Sequence, residues 1–88
     1  MKKHDLKTIQ PFYNDVESGA KPFEVRFNDR DYQVGDILML QEWNINGHFL
    51  TGRECQKEIT YILDNPDYCK EGYVILGIKE YADETKTN

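Results

Sequence analysis

Apolar and polar positions alternate from His4 to Ile9, which predicts a short strand. Pro11 follows at a place where a helix takes its first residue, because the missing N–H costs nothing there. Phe12 and Val16 stand four apart on one helical face, and Gly19 follows Glu17-Ser18 as a C-terminal stop. The pattern predicts a helix over Pro11–Ser18. About two turns are too few to hold alone, so Phe12 and Val16 are expected to pack on a sheet.

The period then changes to two. In Lys21–Phe27, Phe23, Val25 and Phe27 take one face, and Glu24 and Arg26 take the other. Asn28-Asp29-Arg30-Asp31 and Gln33-Val34-Gly35-Asp36 read as polar turns, with Asp36 stabilising the second. Ile37–Trp43 carries apolar residues on both faces and reads as a central strand covered on both sides. Asn44-Ile45-Asn46-Gly47 ends in an Asn-Gly pair, a hairpin signal. Phe49–Thr51 and Arg53–Leu63 continue as strands, the second long enough to bend. Asp64–Gly72 is a loop, Tyr73–Tyr81 a buried last strand, and 83–88 a disordered polar tail. The expected architecture is mainly β: one short N-terminal helix and a five- to six-stranded β-barrel over a single domain, 1–82. An oligonucleotide-binding barrel and an SH3-like barrel fit this pattern equally well.

Composition narrows the class. The 88 residues are 39% hydrophobic and 31% charged, as in a globular protein rather than a low-complexity polymer. The longest apolar runs, Ile37–Leu40 and Tyr73–Leu76, are far below the ~20 residues of a membrane span. No signal-peptide core follows the N-terminus, so a cytoplasmic protein is expected. The formal charge is −5, which argues against a protein that coats nucleic acid non-specifically. Residues 1–30 nevertheless carry a net +1 and residues 31–88 a net −6, so a local basic site has room to exist. Cys55 and Cys69 form no close pair, and His4 and His48 complete no ligand set at metal-like spacing, so neither metal nor cofactor is expected.

Candidate chemistry concentrates in Gly19-Ala20-Lys21-Pro22-Phe23-Glu24-Val25-Arg26. Glu24 and Arg26 share a strand face about 6.6–6.8 Å apart, and Lys21 opens that strand beside a helix end. Glu24 would steady the Arg26 guanidinium while Lys21 and Arg26 face an acidic or polar ligand. The blander alternative is an ordinary salt bridge on the outside of the barrel. Arg30 and Arg53 would either extend a basic rim or pair with Asp29, Asp31 or Glu54. Trp43, Tyr32, Tyr61 and Tyr73 would stack on bases or fill the core. His4 and His48 have no recognisable partner.

The segment Gly19–Arg26 matches G-x-K-x-x-E-x-R and resembles the signature of the ASCH (activating signal cointegrator homology) domains. The turn Asn28–Asp36, Thr51-Gly52-Arg53 and Gly72–Gly77 are similar to a small ASCH-related branch of uncharacterised bacterial and phage proteins. The resemblance covers roughly residues 4–81 and implies a PUA-like β-barrel. It also implies a cleft between helix and barrel lined by Lys21, Glu24 and Arg26, and RNA or a nucleotide-like molecule as ligand. One ASCH branch deacetylates acetylcytidine with a Lys, a Thr three positions later and a distant Glu. Lys21 matches that Lys, but Glu24 occupies the Thr position, and a lysine paired with a carboxylate is a poor nucleophile.

Three readings follow. The first is an RNA- or nucleotide-binding module using Lys21, Glu24 and Arg26, with Arg30 and Arg53 at its rim. The second is a small amidohydrolase using Lys21 and Glu24. The third is a regulatory protein-interaction module, supported by the acidic 31–88 portion.

Overall fold

The computed structural model describes residues 1–81, so the tail expected at 83–88 lies outside the described residues. The elements in chain order are β1 (Lys3–Ile9), α1 (Gln10–Ser18), β2 (Phe23–Phe27), β3 (Ile37–Asn44), β4 (Phe49–Leu63) and β5 (Tyr73–Glu80). They form one five-stranded sheet in the order β1-β3-β4-β5-β2, with β1 parallel to β3 and every other pair antiparallel. The two segments expected at 49–51 and 53–63 are one strand. It absorbs a register shift opposite Gln41/Trp43, and another near Ile59/Tyr61 opposite β5. Bulges of this kind bend and twist a strand.

The sheet curls into a half-barrel and stops short of closure. β1 and β2 are its two edges and share no ladder. This corrects the closed barrel expected from sequence, and the open seam that results is the most important feature of the molecule. The core inside the curl is built from Leu6, Val16, Leu38, Leu40, Ile59, Val74, Leu76 and Ile78, with Tyr32 from the loop before β3.

Helix α1 lies against the inner side of β3 and β1. Its start at Gln10 puts Tyr13 and Val16 on the packed face, both fully buried, and leaves Phe12 47% exposed. Phe12 was expected in the packing and is not there. Residues three and four apart share a helix face, and Val16 pairs with Tyr13, whose hydroxyl donates to Glu17 at 3.3 Å. Gly19 terminates the helix in the left-handed region (φ 90°), its N–H bonded to the Val16 carbonyl.

Strand β2 is inverted relative to an ordinary amphipathic strand. Phe23, Val25 and Phe27 face outward, 40–55% exposed, whereas Glu24 is 3% exposed on the inner side. The strand therefore contributes no apolar side chain to the core. It is held by its ladder to β5 and by the polar contacts of Glu24 and Arg26.

Candidate functional site

Lys21, Glu24 and Arg26 converge because the tight helix end returns the chain directly into β2. The Lys21 N–H bonds to the Asp15 carbonyl at 2.9 Å, fixing that return. Lys21 Nζ then donates to Glu24 Oε2 at 2.9 Å and to the Phe23 carbonyl at 3.0 Å. Arg26 donates to Glu24 Oε1 through Nε at 3.1 Å and Nη2 at 2.8 Å. The carboxylate, its side chain 4% exposed, thus has a cation on each oxygen. A buried carboxylate is tolerated only when it is paired and hydrogen-bonded in this way.

Arg26 also works across the seam. Nη2 donates to the Lys7 carbonyl at 2.9 Å and to Thr8 Oγ1 at 3.2 Å, joining two edge strands that have no backbone ladder between them. The outside salt bridge expected as the bland alternative is therefore not what the chain forms. Glu24 is buried, and the pair spans a gap in the sheet.

A pocket of about 320 Å³ occupies this gap, its walls formed by Lys7–Ile9 of β1, Phe12 of α1, Lys21, and Glu24–Arg26 of β2. Its lining carries three cations, Lys7, Lys21 and Arg26, against the single carboxylate of Glu24. Two aromatic rings flank Lys21: Nζ lies 5.6 Å from the Phe12 centroid and 4.9 Å from that of Phe23. Lys7 Nζ sits 4.2 Å above the Trp43 ring. Both lysines are thus steered by cation–π contact while remaining at the rim.

The other two arginines do not join this group. Arg30 is 3.9 Å from Asp29 and lines a separate hollow of about 140 Å³ with Arg26 and Tyr32. Arg53 bonds to Glu17 at 2.7 Å, to Asn14 at 3.0 Å and to the buried Glu42 at 3.4 Å, and packs over Tyr13. It ties β4 to the helix, and its partner is Glu17 rather than Glu54. Of the four aromatics expected at a stacking face or in the core, Tyr32 is buried, Trp43 and Tyr73 are half-buried, and Tyr61 is exposed.

His4 has a partner after all. Its Nε2 lies 2.9 Å from Asp36 Oδ2, both side chains buried, with the ring tilted against Tyr32. Asp36 also accepts the backbone N–H groups of Lys2 and Gln33, so it closes the turn as expected and anchors the start of β1 as well. Among the described residues no group of three or more His, Cys, Asp or Glu side chains is arranged to hold a metal ion. No helix there is long and apolar enough to cross a membrane.

Five of the eight pocket residues, Lys7, Thr8, Ile9, Phe12 and Val25, are not among the site candidates the sequence offers. Thr8 and Ile9 reach the site only because β1 ends at the seam, and Val25 because it stands on the opposite edge.

The chain is 40% identical over 75 residues to an uncharacterized 12.9 kDa protein in the GpA 3′ region of Escherichia phage P2. That match covers 85% of this chain and 66% of the phage protein, so the chain spans slightly less than two thirds of the relative's length. The model of a family described as a domain of unknown function, DUF3850, matches residues 3–78. With nearly all of its ordered strands inside that match, the chain belongs to the DUF3850 family.

Proposed function

We propose that this chain is a PUA-like binding module of the ASCH type that recognises RNA, or a nucleotide-like ligand, in the seam pocket. One observation carries the reading. Lys21 and Arg26 are held by a shared buried carboxylate at the mouth of a pocket with excess positive charge, on a protein that is acidic overall. Cations fixed in place by an internal acid lose little freedom when an anion arrives. The half-barrel with its one helix is compatible with a PUA-like fold. The exposed Phe12 ring beside Lys21 adds a surface on which a base can stack.

The geometry favours binding over hydrolysis. Lys21 Nζ is engaged by Glu24 and by the Phe23 carbonyl, and Glu24 by two cations, which leaves neither free as nucleophile or base. The test is binding of a short single-stranded RNA as a function of salt. Each phosphate contact contributes a slope of about −0.7 in log K against log salt. Lys21→Gln is expected to reduce the slope by about that amount, whereas Arg30→Gln leaves it unchanged. Absence of RNA affinity at low salt, or a Lys21→Gln protein indistinguishable from the parent, overturns the reading.

A further inference from the structure

We infer that the free backbone edge at Val25 is the seat for a nucleobase, pairing its N–H and C=O with an adjacent acceptor and donor on the heterocycle. This rests on the proposed nucleotide-binding reading and specifies what that pocket recognises. The phase of the β2–β5 ladder carries it. The Ile78 N–H bonds to the Pro22 carbonyl, and the Asn28 N–H bonds to the Gly72 carbonyl. The register between them is uninterrupted. In an antiparallel pair the hydrogen-bonded positions alternate, so Glu24 and Arg26 bond to β5. Phe23, Val25 and Phe27 turn their N–H and C=O groups to the open edge.

Two independent contacts agree with this phase. The Phe23 carbonyl accepts from Lys21 Nζ at 3.0 Å, and the Phe27 carbonyl accepts from the Asp29 N–H at 2.9 Å. Val25 lies between them. Among the described residues neither its N–H nor its C=O has a hydrogen-bond partner, and Val25 lines the seam pocket. The edge therefore offers one unoccupied donor–acceptor pair, bounded on both sides by carbonyls that are already engaged.

That limit identifies the occupant. A peptide strand joining the edge would need several successive free rungs, and here there is one. A planar heterocycle with a donor beside an acceptor needs one rung only, which is the pattern of a base edge. The pocket volume of about 320 Å³ is at the small end of the range for small-molecule sites. Phe12 and Lys21 stand on the same pocket wall, one to stack on the ring and the other to meet the attached phosphate.

The test is a ¹H–¹⁵N titration of the whole chain with the four ribonucleoside 5′-monophosphates and, separately, with ribose 5-phosphate. At least one nucleotide is expected to shift the Val25 amide signal, slow its hydrogen exchange, and bind on the order of tenfold more tightly than ribose 5-phosphate. Val25→Pro removes the N–H while sparing the β5 ladder, and is expected to reduce that nucleotide to the level of the sugar phosphate. Equal binding of all five ligands at Lys21 and Arg26, with the Val25 amide unmoved, overturns the base seat and leaves the anion-binding pocket standing. No binding by any of them overturns both. If Val25→Pro does not fold, the Val25 amide of the parent chain still decides the matter.

Discussion

Arg26 Nη2 lies 2.9 Å from the Lys7 carbonyl, a side chain spanning the seam between β1 and β2, which no backbone hydrogen bond crosses among the described residues. The same guanidinium neutralises the buried Glu24. One residue therefore closes the fold and shapes the pocket.

Arg26→Ala removes the seam contact and leaves Glu24 with Lys21 alone. Breaking a buried pair costs about 3–5 kcal/mol, and the remaining partner brings the expected loss to roughly 2–3 kcal/mol. Arg30→Ala removes only an exposed contact and is expected to cost less than about 0.5 kcal/mol. Urea unfolding of the two variants beside the parent measures both, and similar midpoints for the two variants would contradict the seam assignment.

Asp36 predicts an acid limb of stability. Burial pushes its carboxyl up, but hydrogen bonds from His4 and from the Lys2 and Gln33 amides outweigh burial and hold it below the usual carboxylate range. A depressed value in the folded chain means that the unfolded chain binds the proton more readily. The stabilisation is thus present at neutral pH and is lost as pH falls below about 4, through the folded value. Asp36→Asn is expected to be less stable than the parent at neutral pH, with the difference narrowing in acid. Urea midpoints across that range show whether it does.

The Cys55 thiol is pushed up by burial, only partly countered by the neighbouring Tyr13 hydroxyl and the Lys57 charge. In a Cys69→Ser protein, Cys55 should therefore label slowly with a thiol reagent at mildly alkaline pH and rapidly once unfolded in urea. Equal rates in the two states would show that Cys55 is not shielded by the helix and sheet.

The inverted β2 strand predicts an unusual contrast. Leu76→Ala, at a fully buried core position, is expected to cost about 2–5 kcal/mol. Val25→Thr, on the outward face, is expected to stay within about 0.5 kcal/mol of the parent. A large loss at Val25 would mean that the outer face of β2 is packed in solution.

Much of this was legible in the chain itself. The Pro11 start, the Gly19 stop and the change from a period near 3.6 to a period of two located α1 and the strands to within a residue or two. Asn44 behaves as its turn chemistry requires, its Oδ1 accepting the Asn46 and Gly47 amides. The grouping of Lys21, Glu24 and Arg26 was also visible, because residues two and three apart at the start of a strand are neighbours whatever the rest of the chain does.

Tertiary structure decided which way β2 faces. Alternation fixes that Glu24 and Val25 point oppositely, but it carries no sign, and hydrophobicity would have buried Val25. Glu24 goes inward because Arg26 and Lys21 meet it there, and because Lys7 and Thr8, far away in sequence, accept hydrogen bonds from the same guanidinium. The partnership of His4 with Asp36, the separate place of Arg53 beside Glu17, and the open seam arise in the same way. Short-range pattern determines elements, since it reflects torsions and local periodicity. Pairing across 18 to 36 residues depends on how the sheet curls, and no local pattern records it.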